Sequence, residues 1–319
     1  MSTLYSRSLI SIVAALAIVL WVASHGVYES TGIAHDNDTV SSHNAFATIL
    51  TSTLGNESEI PNFEERYLRA ARLLNFQLLR NPHTRNRNGI PLLILVAPDV
   101  PQRHRNILIR EGATVVPLES HEFDWGSQPQ RWDSLLAKLN LWKLERYHKV
   151  AFLDVETVLL HPLDDIFEDS ATTIRNTAYS TANTPKNYMM AAPYESLVKL
   201  DTQVLLNQNS YKERHMSTGF LVLHPSQSHY NYYKSLFHIF DKNDSGNPEE
   251  ALFNYAHRAD GPMPWQIIGP GWNSKEATQF DCEQGLKSIT HHWRRPINDS
   301  FVGDLIASSL DEMAAYLNH

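Results

Sequence analysis

Residues Lys149–Phe167 read KVAFLDVETVLLHPLDDIF. An uncharged apolar run, Val150 to Leu153, stops at the triplet Asp154-Val155-Glu156. A short run of this kind, closed by polar residues, predicts a strand buried on both faces. In open α/β sheets, ligands gather beyond the carboxyl ends of the strands. Two carboxylates one residue apart at such an end reach a single cation if the chain turns there, and hard oxygen ligands suit Mg²⁺ or Mn²⁺. The same triplet fits a solvated acidic turn equally well.

Reading outward toward the N-terminus, strand and helix patterns alternate. Ala45 to Leu50 predicts a first strand. Phe63 to Leu79 predicts a helix with Tyr67, Ala70, Ala71, Leu74 and Leu78 on one face. Leu92 to Ala97 is a continuous apolar run between prolines and predicts a second buried strand. Val100 to Glu111 predicts a helix that Pro101 starts and Gly112 stops. Thr114 to Leu118 is a third strand. Ser134 to Tyr147 is a helix turning Leu135, Leu139 and Trp142 inward, and it leads into the strand that ends at Asp154. This βαβαβαβ order predicts an α/β fold with a parallel, doubly wound sheet flanked by helices. No internal repeat or long low-complexity segment is visible.

The chain has 319 residues, 42% apolar and 19% charged, enough to build a substantial core. Its net charge of -8 supplies no global basic field, so nucleic acid is not an expected partner. The single cysteine, Cys282, excludes an intrachain disulfide. No G-x-G-x-x-G follows the first strand and no G-x-x-x-x-G-K-[ST] occurs, which argues against a Rossmann dehydrogenase or a P-loop NTPase. A metal with side-chain cations is the other way to neutralise a diphosphate.

The N-terminus carries a topological signal. Arg7 precedes an uncharged, mostly apolar run from Leu9 to Ser24, and polar residues follow. A signal peptide cleaved after Ser24 fits, with Val22 and Ser24 as its small flanking residues. A signal anchor fits better if the run extends to Tyr28, with Arg7 held in the cytosol. The expected organisation is therefore a cytosolic tail (1–8), an anchor or signal peptide (9–28), a polar stem (29–43) and a lumenal catalytic domain (44–319). Sequons at Asn37, Asn56, Asn243 and Asn298 agree with passage into the secretory lumen.

From Arg131 to Phe167 the chain resembles the central block of glycosyltransferase family 8, the glycogenin-like group. A helix with the Lys138-Leu139 pair, then Trp142 and Tyr147, leads to the strand and to Asp154-Val155-Glu156 in place of D-x-D. Thr157-Val158-Leu159-Leu160 and Asp164-Asp165-Ile166-Phe167 follow as T-x-x-L and a D-E-L-F-like start. Met216 to Val222 resembles the N-S-G strand, Pro248 to Asn254 the [DE]-Q-x-x-L-N helix, and Thr290 to Pro296 the closing H-x-G-x-x-K-P-W. The likeness runs in order over about residues 44–296.

The resemblance implies a GT-A-type nucleotide-diphospho-sugar transferase fold and a retaining transfer from a UDP-sugar to a glycan, protein or small-molecule acceptor. It implies Mn²⁺ or Mg²⁺ held by Asp154, Glu156 and His291, with His292 as the alternate histidine. It places Ala47 and Thr48 near the uracil, and Lys138 and Arg295 on the phosphates. By the same resemblance Val155, Ser217, Thr218 and Gly219 line the nucleotide sugar, and Glu249 and Glu250 are the catalytic candidates, Glu249 to stabilise an oxocarbenium-like centre and Glu250 either to bind a sugar hydroxyl or to mark a changed or lost activity. The N-terminal segment and the sequons make a Golgi or other secretory-pathway membrane the expected location, or secretion if that segment is cleaved. Each role has a plainer counterpart. Lys138 also fits the solvent side of an amphipathic helix, His291 a satisfied core histidine, and Trp142, Trp265 and Trp272 ordinary core aromatics.

Three positions depart from the family pattern: Glu156 for aspartate, Ser217-Thr218-Gly219 for Asn-Ser-Gly, and Glu250 for glutamine. They keep alive an inert homologue that binds nucleotide sugar or glycan without transfer. A lumenal metal-dependent hydrolase is more remote, because no H-E-x-x-H occurs.

Overall fold

The computed structural model describes residues 43–51, 63–118, 137–181, 183–195, 215–237, 248–291 and 300–318. The tail, the apolar segment, the stem, all four sequons, His292 and Arg295 lie outside the described residues. Among the described residues no helix is long and apolar enough to cross a membrane.

The expected strands form within one residue at either end: β1 (Asn44–Leu50), β2 (Leu92–Val96), β3 (Thr114–Pro117) and β4 (Lys149–Leu153). Helix α1 (Phe63–Leu79) has the expected bounds. Helix α2 (Gln102–Arg110) follows Pro101 and stops before Gly112. Gly112 sits at φ +104°, the left-handed region where a side chain is strained, which is why a glycine ends this helix.

Beyond Asp154, β5 (Thr157–Leu159) pairs antiparallel with a late strand. The short strands β6 (Arg175–Asn176) and β7 (Asn187–Tyr188) form a hairpin, and β8 (Met190–Ala192) continues the chain. The strand β9 (Tyr194–Glu195) pairs with β10 (His215–Met216), and β11 (Phe220–Leu223) returns into the main sheet. Then come α3 (Gln227–Leu236), α4 (Pro248–Ala256), β12 (Gln266–Ile267), α5 (Gln279–Glu283), β13 (Ser288–Thr290) and α6 (Ser300–Leu317). The partner of β5 is β13.

The main sheet has seven strands in the order β12-β8-β11-β4-β1-β2-β3. All neighbours run parallel except β11, which is antiparallel to both β4 and β8. The expected sheet flanked by helices is therefore present and mostly parallel, with β11 its antiparallel member. β11 enters from the β9–β10 ribbon on the same side as the end of β4, so it must run the other way. The chain builds outward from β1 through β2 to β3, then crosses back to place β4 on the other side of β1. That reversal leaves a crevice beyond the carboxyl ends of β1 and β4.

Side chains alternate across the sheet. Phe46, Leu92, Ile94, Val96, Ala151, Leu153, Phe220 and Val222 join the core under α1 and α2. Ala45, Ala47, Leu93, Leu95, Val150, Phe152, Leu221 and Leu223 join the core with Trp142, Tyr233 and Phe253. Both faces are covered, so the strands read as unbroken apolar runs instead of alternating ones.

One expected element is corrected. The helix foreseen over Ser134–Tyr147 is helical at Ala137–Leu139, tightens to a 3₁₀ turn at Asn140–Lys143, and ends there. Its turn buries Asn140, Leu141 and Trp142, so almost every side chain in it faces protein and no amphipathic period survives.

Candidate active site

Asp154 is the first residue beyond β4. Its backbone N–H donates to the Gly219 carbonyl at 2.8 Å, continuing the β4–β11 ladder past its last pair, Leu153 with Phe220. The Thr157 N–H then donates to the Asp154 carbonyl at 2.9 Å, closing a turn over residues 154–157. The strand therefore does turn at the triplet, as two carboxylates aimed at one region require. A Cβ at position 219 would stand 2.9 Å from Asp154 Oδ2 and 3.5 Å from its Cγ. Glycine there opens the space that the Asp154 carboxylate occupies.

The helical residues just before the 3₁₀ turn bring Lys138 to the same place. Its ammonium is buried and donates to Glu249 Oε1 at 2.5 Å and to the Thr218 carbonyl at 2.9 Å. Asp154 Oδ1 stands 3.6 Å away, and the Phe152 ring centre 4.9 Å away. Burial alone pulls the ammonium's pKa down, but Asp154 and Glu249 beside it more than reverse this, and it titrates above its usual value. Burial pushes the Glu249 carboxyl up, and Lys138 offsets this only in part. Thr218 adds a side-chain hydrogen bond to Glu249. Lys138 is thus the shared counter-ion of two acidic groups and not the solvent side of a helix. An ammonium has three donors, and the protein itself engages those directions.

Helix α4 carries Glu249 and Glu250 in its first turn, where the helix dipole favours negative charge. Glu249 is buried and Glu250 half-buried. Asn254, one turn on, accepts from the Met216 N–H at 2.7 Å and donates to the Glu250 carbonyl at 2.8 Å. This amide ties α4 to β10 and so sets Ser217-Thr218-Gly219 beside the helix start. Ser217 is buried and its hydroxyl has no hydrogen-bond partner. Ala47 and Thr48 are fully buried in β1, and the Thr48 hydroxyl also lacks a partner. Neither presents open surface, whereas Ile49 and Thr51 beside them are half-buried.

The register of β13 on β5 pairs Thr290 with Thr157. The next residue, His291, therefore falls opposite Glu156, and its N–H donates to the Glu156 carbonyl at 3.4 Å. A buried polar network holds this end of the ribbon. The Asn273 amide donates to Ser288 Oγ at 2.9 Å and to Thr290 Oγ1 at 3.0 Å, while Thr290 Oγ1 and Thr157 Oγ1 lie 3.2 Å apart. Tyr67 of α1 is buried, and burial with the charges of Glu156 and Asp154 pushes its phenol pKa up. Backbone placement therefore brings Asp154, Glu156 and His291 to one edge of the sheet. Among the described residues, however, no three histidine, cysteine, aspartate or glutamate side chains group closely enough to hold a metal ion. Asp154 Oδ1 lies 3.6 Å from the Lys138 ammonium. In kind, two carboxylates and an imidazole are a donor set that suits Mn²⁺ or Mg²⁺.

Tyr67, Asn254 and Asn273 have no functional role in the sequence reading above. Tyr67 left a signal: a buried phenol needs a partner for its hydroxyl, and its helix face is otherwise aliphatic.

No family model matches the chain. Galactinol synthase 7 of Arabidopsis thaliana is 32% identical over 85 residues, 26% of either chain. An uncharacterized protein of Schizosaccharomyces pombe, C5H10.12c, is 22% identical over 241 residues, 66% of this chain and 64% of that one. The chain thus aligns with about a quarter of the length of that galactinol synthase and under two thirds of the yeast protein. Among solved structures, the glycosyltransferase GlyE of Streptococcus pneumoniae TIGR4 superposes with TM-score 0.52 at 14% identity, covering 86% of this chain and 63% of GlyE. The galactosyltransferase LgtC, solved with donor and acceptor sugar analogues, gives TM-score 0.50 at 11% identity, over 86% of this chain and 95% of LgtC. At these identities the structural likeness establishes the fold, which is of GT-A type.

Proposed function

We propose that this chain, similar to the family 8 glycosyltransferases in its GT-A-type fold and in the segment it shares with galactinol synthases, transfers a sugar from a UDP-sugar to an acceptor with retention of configuration. The observation that carries the proposal is the cluster at the crevice: Asp154 at the end of β4, its carboxylate against Gly219, and the buried Lys138–Glu249 pair beside it. A structural acidic turn needs neither a glycine cut away beneath its carboxylate nor a buried cation shared with a second acid. Bound by Asp154, Glu156 and His291, a divalent cation would supply Lewis-acid charge for the diphosphate. Lys138 stands as the counter-ion between Asp154 and Glu249. Glu249 presents negative charge near the sugar carbon, where an oxocarbenium-like centre develops. Glu250 and the unpartnered Ser217 hydroxyl are the groups that take sugar hydroxyls. Lys138 itself acts between the two acids, so Arg295 is the cation assigned to phosphate.

The proposed setting is the lumen of the secretory pathway, with residues 9–28 as the tether. It rests on the apolar run after Arg7 and on sequons at four later positions. The direct test of activity is UDP release by the full chain from a panel of UDP-sugars, with and without Mn²⁺. The names of the relatives make a galactosyl donor the first choice. Metal-dependent release from at least one donor is expected.

A second reading is an inert homologue that holds a nucleotide sugar without transfer. It is favoured by Asp154 and Glu249 both being engaged by the Lys138 ammonium. UDP binding without release from any donor would select it.

A further inference from the structure

At the end of the sheet opposite the crevice, the last turns of three helices meet. Glu111 closes α2 shortly before Thr114, which pairs with Leu93 where β2 begins. Asn75 of α1 reaches Glu111, and Phe76 of α1 meets Tyr316 of α6 with ring centres 5.2 Å apart. Between them lies a cavity of about 130 Å³, lined by these four residues together with Arg80 and Arg110. A closed cavity of about 150 Å³ holds a six-membered ring. This one is reached from solvent past the exposed Arg80, Arg110 and Tyr316, so it has room for one ring whose substituents point outward.

Its lining holds an unanswered group. Asn75 is 1% exposed. Its Nδ2 donates to the Glu111 carbonyl at 3.2 Å, and this fixes the amide, because turning it over would set two acceptors face to face. Oδ1 is then left buried with no hydrogen-bond partner among the described residues. Buried acceptors are almost always answered, so this one calls for a donor inside the cavity. The rim is polar as well. Arg72 meets Glu111 Oε1 with Nε at 2.8 Å and Nη2 at 2.6 Å, and Oε2 takes no part in that pair. The Arg80 guanidinium lies against Gly112, where a Cβ would stand 2.9 Å from Nη2. Arginines at helix C-termini answer the negative ends of the helix dipoles, which is sufficient reason for Arg80 and Arg110. It is no reason for the Asn75 oxygen, nor for a tyrosine ring left 48% exposed beside a polar cavity. A water molecule would answer the amide but not the ring.

We propose that this cavity is a carbohydrate-binding site that takes one pyranose ring of a glycan, remote from the crevice where transfer is proposed. A sugar ring matches the lining on both counts. Its hydroxyls donate to Asn75 Oδ1 and Glu111 and accept from Arg80 and Arg110. Its C–H face packs on Tyr316, which Phe76 braces from behind.

Saturation-transfer NMR on the full chain reads the site. The probes are the methyl glycosides of glucose, galactose and N-acetylglucosamine at millimolar concentration, with UDP and Mn²⁺ added to fill the crevice. At least one glycoside should receive magnetisation on its ring C–H protons. Tyr316→Ala should lower the affinity for that glycoside about tenfold, through the lost aromatic face. Asn75→Leu keeps the bulk, removes the amide, and should lower it about fivefold. Tyr316 is half exposed, so its alanine variant should keep a thermal midpoint near the parent's and carries the test even if Asn75→Leu fails to fold. Glycoside binding that is equal in parent and variants places the sugar elsewhere and overturns the proposal. Absence of transfer to every glycoside overturns it as well. A response to inorganic phosphate that Arg80→Gln removes, with none to the glycosides, makes this a small-anion site and overturns it. The site shares no residue with the proposed donor site, so a parent that binds no UDP fails that reading alone and leaves each of these outcomes as it stands.

Discussion

The site turns on single atoms at positions 219, 138 and 249. Glycine at 219 leaves room for the Asp154 carboxylate, and an added methyl would stand 2.9 Å from its oxygen. The atom in the way is the end of a short side chain, so the carboxylate moves and the backbone does not. Gly219→Ala should accordingly leave the thermal midpoint within a few degrees of the parent while lowering UDP release at least tenfold. A stability loss as large as the activity loss would place the contact in the fold and not in the chemistry. Lys138 behaves in the opposite way. Removing it leaves Glu249 buried and charged with no counter-ion, a defect that costs about 3–5 kcal/mol when one partner of a buried pair is deleted. Lys138→Ala should show this in denaturant unfolding. Pairing Lys138→Met with Glu249→Gln should recover most of the loss, because no lone charge remains, yet the double variant should stay inactive.

At the scale of elements, the strands and first helices were legible in the sequence because each is a local pattern. Leu92–Val96 sits between prolines, and α1 carries a helical period over seventeen residues. The turn at Asn140–Lys143 was not legible, because burial all round erases the period that marks an amphipathic helix. The direction of β11 was also hidden, since an apolar run reads the same parallel or antiparallel. Of the site, the Asp154 triplet and Gly219 were visible as a motif. Tyr67 and the engagement of Lys138 were not, because both depend on elements distant in sequence meeting in space.

The packing of α3 on α4 has a pH dependence of its own. His257 Nδ1 bonds the Met263 carbonyl at 2.7 Å, so Nδ1 carries the proton and Nε2 accepts from the Tyr233 hydroxyl at 2.6 Å. Burial, opposed only by that backbone bond, pushes His257 down to about 4. Burial, with the charges of His257 and His224, pushes His229 of α3 down to about 3. Both fold as neutral rings, while the unfolded chain takes up their protons near the ordinary value of 6.5. Between those values the unfolded state binds more protons, so stability is complete above about pH 6.5 and falls as the pH drops toward 4. Unfolding free energies from denaturant titration at pH 7 and pH 5 should differ by a few kcal/mol on this account, and His257→Gln should remove about half of the difference. An unchanged free energy across that interval would show that water reaches these rings.

Across the whole molecule, the crevice draws on segments spread along the chain: the end of β1, the Lys138 turn, the Asp154 triplet, the Ser217–Gly219 strand entry, the start of α4 and the end of β13. No piece of the chain holds the site alone, so ligand binding and global folding are linked. Anything that binds only the folded state stabilises it, by about 2.7 kcal/mol at a hundredfold excess over its dissociation constant. Asp154 and Glu156 place two negative charges where a diphosphate is proposed to sit, so UDP alone should bind poorly and a cation alone weakly. Together each should raise the other's affinity by the same factor, as linkage requires. UDP with Mn²⁺ should therefore raise the thermal midpoint by more than the sum of the separate shifts. Asp154→Asn removes one charge of the proposed ligand set and should abolish the joint shift while leaving the ligand-free midpoint nearly unchanged. Glu156→Asp restores the carboxylate spacing of the family triplet and should retain the joint shift. If the parent and Glu156→Asp both show purely additive shifts, the cation takes no part in holding the nucleotide, and the acidic pair serves the turn alone.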